Sequence, residues 1–92
     1  MAPGTAQRVE VDGVDVALVC DTLGAFHAIG DECTHGKVSL SDGEVEGTTI
    51  ECWLHGSAFD LNTGRPTSLP ATQPVPVYVA EIAGDDVNVT LN

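Results

Sequence analysis

Hydrophobic and polar residues alternate with a period of two along two stretches of the chain. Val14, Val16, Leu18 and Cys20 fall on one side of an extended segment, with Asp15 and Asp21 on the other. Val87, Val89 and Leu91 repeat the pattern against Asp86, Asn88 and Thr90. Runs rich in Val, Ile and Thr predict further strands over Val9–Val11, Thr48–Cys52 and Val75–Ile82, with Phe26–Ile29 as another. In the Val75–Ile82 run, Val75, Val77 and Val79 are expected in the sheet core, with Tyr78 on the opposite face. Asp12-Gly13 and Gly84-Asp85 are two-residue hairpin signals, and Glu46-Gly47 and Asn62-Thr63-Gly64 are weaker turns. No window sustains a helical stripe, and Pro66, Pro70, Pro74 and Pro76 forbid a helix across their segment. The pattern predicts an all-β fold, an antiparallel sandwich or partly open barrel.

One stretch departs from this scheme. Residues 31–61 hold two Cys and two His among glycine-rich turns, around a short strand pair at about Gly43–Glu46 and Thr48–Cys52. The chain reads as a single domain over 1–92, with a β body at about 1–30 and 62–92 and a small subdomain at about 31–61.

Composition narrows the function. The 92 residues carry 3 Lys+Arg against 14 Asp+Glu, a formal net charge of −11. Such a chain has no basic patch for nucleic acid and is repelled by anionic membranes. No apolar run approaches the roughly 20 residues of a membrane span, and Met1-Ala2-Pro3-Gly4 shows no secretory leader. Three cysteines are an odd number, so they are expected as metal ligands in a reducing cytoplasm rather than as staples.

Two matched loops carry the candidate chemistry. Cys33-Thr34-His35-Gly36 is followed by Cys52-Trp53-Leu54-His55-Gly56, with sixteen residues between His35 and Cys52. Each offers a thiolate, then an imidazole, then a glycine that lets the backbone turn tightly. The four ligands could hold one tetrahedral zinc, in a structural interaction module. The Cys-then-His order in both loops suits instead a two-metal site, with the cysteines on an inner metal and the histidines on an outer one.

These residues resemble those of Rieske proteins, and specifically the small Rieske ferredoxins of bacterial multicomponent, aromatic-ring-hydroxylating oxygenases. Beyond the two loops, the likeness runs through Ala28-Ile29, Asp42-Gly43, Ile50-Glu51, Ser57-Ala58-Phe59-Asp60 and Thr63-Gly64-Arg65-Pro66 to the proline-rich segment ending at Tyr78. The resemblance implies a Rieske-like β fold and one [2Fe–2S] cluster. Cys33 and Cys52 would bind the buried iron, and His35 and His55 the outer iron. Gly36, Lys37, Gly56, Ser57, Phe59 and Pro70 would surround it: backbone N–H groups after the ligands meet the sulfurs, Ser57 reaches a bridging sulfide, and Pro70 covers the third side. Val38 and Leu54 stand where the respiratory branch has a disulfide, and Phe59 stands where it has a tyrosine hydroxyl. With those features missing, the potential is expected in the lower half of a range from roughly −150 to +300 mV. The likeness also implies a further strand ahead of Pro3-Gly4.

A one-electron carrier, not an enzyme, follows from this resemblance. Its donor would be a flavin-containing NAD(P)H-dependent ferredoxin reductase, and its acceptor a terminal Rieske oxygenase with non-haem iron. The small subunit of assimilatory nitrite reductase is the alternative with the same cluster. Outside the loops, His27 reads as a surface or satisfied strand histidine rather than a ligand, and Cys20 as a buried bystander thiol. Trp53 either packs or anchors a partner. Asp31, Glu32, Asp42, Glu44 and Glu46 read as a solvated acidic face that could also steer a basic partner.

Overall fold

The computed structural model describes residues 1–34, 36–54, 56–69 and 71–91. A five-stranded antiparallel sheet runs in the order β1-β2-β3-β7-β8, and a three-stranded one in the order β4-β5-β6. The large sheet consists of β1 (Thr5–Val11), β2 (Val14–Cys20), β3 (Phe26–Gly30), β7 (Val77–Ala83) and β8 (Asp86–Thr90). The small sheet consists of β4 (Glu44–Glu46), β5 (Thr49–Glu51) and β6 (Ala58–Asp60), entered through a 3₁₀ turn at Leu40–Asp42. The all-β expectation holds. No helix among the described residues is long and apolar enough to cross a membrane.

The turn chemistry explains the hairpins. Asp12 and Gly13 both take positive φ, 50° and 81°, and join Val11 to Val14 in register. That is the mirror-image turn whose twist matches paired strands. Gly84, at φ 64°, does the same work between Ala83 and Asp86.

Three details correct the sequence reading. First, β1 begins at Thr5, not Val9, because Thr5 to Arg8 pair with Cys20 to Ala17. Its mostly exposed side chains gave no hydrophobic signal. Second, β2 is buried on both faces. Ala17 and Val19 enter the main core beside Ile29, Leu40, Ile50, Phe59 and Leu61, while Val16 and Cys20 are equally buried on the other side. Both faces of this strand are covered from Val16 to Cys20, so its alternation does not reveal which side meets the core. Third, only Val75 of the predicted trio is buried. Val77 and Val79 are 38% and 46% exposed, and Tyr78 lies on the more covered face.

His27 sits on β3 opposite Val19, and its Nε2 lies 2.8 Å from Asp21 Oδ2. The buried Asp21 also accepts the Ala25 and Leu23 amides on Oδ1, both at 2.9 Å, so it closes the turn between β2 and β3. His27 is thus a satisfied strand residue. Its hydrogen bond, followed by that of the Ala25 amide, holds the Asp21 carboxyl below the usual carboxylate range. A depressed folded value contributes stability that is complete above the unfolded-chain value, about 3.9, and lost as pH falls through the folded one. Asp21→Asn keeps the Oδ1 acceptor but loses the charge. Its thermal midpoint is expected below the parent's at pH 7, with the gap closing as pH drops through the acid range in a melting series.

Candidate metal centre

The small sheet presents one dry face and one wet face. Ile50 and Phe59, paired across β5 and β6, are fully buried, with Val45 packed against them. Glu44, Glu46 and Glu51 point outward, and Glu44 lies directly opposite Glu51. Gly43 makes this compactness possible: a Cβ there would overlap the Glu51 carbonyl, just before Cys52.

The two candidate loops leave this platform in matching fashion. The Cys33 amide donates to the Val38 carbonyl at 3.0 Å, and the Cys52 amide donates to the Ser57 carbonyl at 2.7 Å. Each cysteine therefore closes a loop onto the residue five positions ahead, although the Cys-to-His spacing differs by one residue. In the second loop the Gly56 amide also turns back to the Cys52 carbonyl at 3.0 Å, with Gly56 at φ 75°. Only glycine adopts that conformation without strain. The loops touch at their tips, since a Cβ on Gly36 would lie 3.3 Å from Leu54 Cδ2.

Cys33 and Cys52 are both buried in the apolar core, at 3% and 1% exposure. None of the three cysteines is in a disulfide. Val38 packs against the core and Leu54 is partly exposed, so the positions matching the respiratory disulfide carry apolar side chains. Cys20 is buried on the other face of β2, outside this cluster of core residues. The ligand assignments to His35 and His55, and the covering role given to Pro70, lie outside the described residues.

A third segment ties both loops together. Ser57, fully buried, accepts the Ala71 amide on Oγ at 3.0 Å. The Ala58 amide donates to Ser68 Oγ at 3.0 Å, and the Thr67 amide to the Ala58 carbonyl at 2.7 Å. On the other side, Thr34 Oγ1 donates to the Gln73 carbonyl at 2.7 Å. The first of these contacts leaves the Ser57 hydroxyl proton available to a further acceptor. Phe59 lies fully buried and has no hydroxyl to offer. Lys37 and Gly56 are exposed, and Gly36 is half-buried. The donor set suits an iron–sulfur group: two buried thiols from separate loops, with a serine hydroxyl among them.

Sequence reasoning missed several residues here. Thr34 stands inside the first motif, but its partner is a backbone carbonyl 39 residues away, for which no sequence signal exists. Ser68 likewise acts through backbone partners. Asp31 was read as part of a solvated face, yet it is buried, at 3% exposure, and accepts the Ser41 amide on Oδ1 at 3.0 Å. A carboxylate that caps a neighbouring turn is drawn inward by the amide it satisfies. Glu32, Asp42, Glu44 and Glu46 are exposed as expected. Trp53 is 56% exposed, so it does not serve the core, and Leu54 and Leu69 are exposed with it, at 42% and 78%.

Ser57→Ala would strand the Ala71 amide in a buried site. Leaving such a donor unsatisfied costs about 1–3 kcal/mol. Denaturant titration is expected to show a loss in that range, and Ser68→Ala, at an exposed contact, a smaller one.

The profile of the Rieske [2Fe-2S] domain matches residues 1–79. The ferredoxin component of biphenyl 2,3-dioxygenase from Rhodococcus jostii (strain RHA1) is 41% identical over 91 residues, 99% of this chain and 84% of that one. Among solved structures, the ferredoxin of carbazole 1,9a-dioxygenase from Nocardioides aromaticivorans IC177 is 34% identical with a TM-score of 0.93, over 100% of this chain and 89% of that one. A chain from a complex of reduced oxygenase and oxidized ferredoxin in carbazole 1,9a-dioxygenase is 41% identical with a TM-score of 0.88, over 98% of this chain and 92% of that one. Structures described as nitrite reductase small subunits are more distant, at 26% and 20% identity. These likenesses select the iron–sulfur reading of the loops over the single-zinc one. The chain belongs to the Rieske [2Fe-2S] domain family, and its cofactor is one Rieske-type [2Fe–2S] cluster.

Proposed function

We propose that this protein is the electron-carrying ferredoxin of a multicomponent oxygenase. It would take one electron from a flavin-containing NAD(P)H-dependent reductase and pass it to a terminal Rieske oxygenase with non-haem iron. The observation that carries this reading is the pair of identically closed loops, each with a buried cysteine at its base, the second also exposing Trp53 and Leu54. A solved relative from a complex of oxygenase and ferredoxin, 41% identical to this chain, supports the choice of acceptor. The nitrite reductase reading rests on more distant likenesses. The 92 residues are taken to work as one unit, in the cytoplasm, where three thiols outside disulfides are at home.

In this reading Cys33, Cys52, His35 and His55 would hold the cluster, and one-electron uptake and release is the chemistry it would supply. The chain's own residues do the rest. Leu40, Ile50, Phe59 and Leu61 exclude water from the cysteine side. The Ser57 hydroxyl and the amides near Gly36 and Lys37 would donate toward sulfur and favour the more negative, reduced state, whereas the Gly56 amide is taken by the Cys52 carbonyl. Trp53 and Leu54, adjacent in the second loop, offer exposed apolar surface to a docked partner, and aromatic anchors of this kind dominate small transient interfaces. The exposed carboxylates Glu32, Asp42, Glu44, Glu46 and Glu51 surround that end with negative charge, which speeds encounter with a basic partner at low salt.

The purified protein is expected to be coloured, and to show a Rieske-type EPR signal once reduced, with a midpoint in the lower half of the family's range. Cys33→Ser or Cys52→Ser should abolish both the colour and the signal. A colourless, EPR-silent zinc protein would sink the proposal.

Reconstitution with reductase and oxygenase, scored by product formation, tests the carrier role. Electron delivery should slow as ionic strength rises. Trp53→Ala should leave spectrum and midpoint unchanged while weakening apparent affinity for the oxygenase about tenfold, the equivalent of about 1.4 kcal/mol.

A further inference from the structure

Asp31 stands where β3 ends and the first cluster loop begins, two residues ahead of Cys33. It is engaged on three sides. Its amide donates to the Asp15 carbonyl at 3.2 Å, its own carbonyl accepts the Leu40 amide, and its Oδ1 accepts the Ser41 amide at 3.0 Å. These bonds join the base of the loop to the start of β2 and to the 3₁₀ turn that leads into the small sheet. The next bridge along, Glu32 with Ser39, and the Cys33 amide on Val38 continue the same clasp. Asp31 therefore fixes where Cys33 emerges.

The side chain also brings a charge. Among the described residues, Asp31 is one of three buried polar or charged ones, with Asp21 and Ser57. Asp21 has His27 at 2.8 Å; no cationic side chain among the described residues comes within ion-pair distance of Asp31. Two extended residues span at most about 7 Å, so this carboxylate lies close to the Cys33 end of the cluster site. A charge removed from water is screened far less than one on the surface. The neighbouring Glu32 supplies the comparison, because it has the same sign, is one residue nearer to Cys33, and is exposed.

We propose that Asp31 is a positioning residue that also sets the reduction potential, its buried carboxylate opposing electron entry while its hydrogen bonds hold the Cys33 loop. The inference rests on the cluster assignment of the preceding section. Reduction adds one negative charge to the site, supplied by the flavoprotein donor, and a fixed negative charge nearby makes that addition harder. The clasp and the charge are separable. Asp31→Asn keeps an Oδ1 acceptor for Ser41 and removes the charge, whereas Asp31→Ala removes both.

Spectroelectrochemical titration of the holoprotein and its variants tests this. Asp31→Asn is expected to retain the parent's visible and EPR spectra and to shift the midpoint upward. Glu32→Gln should shift it distinctly less. Asp31→Ala should lose cluster on storage or gentle heating faster than Asp31→Asn does. An Asp31→Asn protein with the parent midpoint would overturn the proposal, as would an equal shift from Glu32→Gln. Loss of the cluster from Asp31→Asn would overturn the separation of clasp from charge. A parent protein without any iron–sulfur spectrum would instead overturn the underlying cluster assignment.

Discussion

The Cys33 and Cys52 amides each donate to a carbonyl five residues further on, and the rest of the metal end is arranged around these two hydrogen bonds. Closing each loop at its cysteine points the thiol into the core and carries the following residues up and away from it. A Cys-x-His loop and a Cys-x-x-His loop thus acquire the same span. Gly56 turns the second loop back in a left-handed conformation, while Gly36 lets the first loop come up against Leu54 of the second. Without both closures, two thiols from segments far apart in sequence would not share one apolar cluster.

That cluster joins the two sheets into one structure. Ala17, Val19 and Ile29 come from the large sheet, Ile50 and Phe59 from the small one, and Cys33 and Cys52 lie among them. A chain of this length buries only a modest fraction of its unfolded surface, so the site and the core are the same material. The proline-rich segment completes the enclosure through the Thr34–Gln73 and Ser57–Ala71 hydrogen bonds. Electrostatics is sorted by the same geometry: the carboxylates at the cluster end face water on the small sheet, except Asp31, which the 3₁₀ turn draws inside.

Much of this was legible in the chain. Asp12-Gly13 and Gly84-Asp85 mark hairpins because few other residue pairs tolerate the required backbone, and both turns form there. The strands β2 and β8 fall within a residue of their predicted bounds. The bystander role of Cys20 and the satisfied state of His27 follow from the residues around them. Less was legible where an element's partner lies far away in sequence. The β1 strand has weak hydrophobic character and is an edge defined by its pairing with β2, with Ala6 packed against the core. The three residues of β6 are too short for any periodicity. Val77 and Val79 have the composition of a core strand and yet face outward, because β7 leaves β3 after a short pairing to join β8.

Sequence by itself determined the chemistry on offer: two thiols and two imidazoles in matched order, an acidic surface, and turns that only an all-β chain would need. Those properties are local, since they depend on residue identity and on spacing within a few positions. Tertiary structure decided which side of β2 meets the core, which acidic residue is buried, and which backbone groups hold the loops shut. Burial and hydrogen bonding depend on what arrives from elsewhere in the chain. The Gln73 carbonyl that meets Thr34 and the Ser41 amide that captures Asp31 are groups every residue but proline could offer, and only the fold brings them into place.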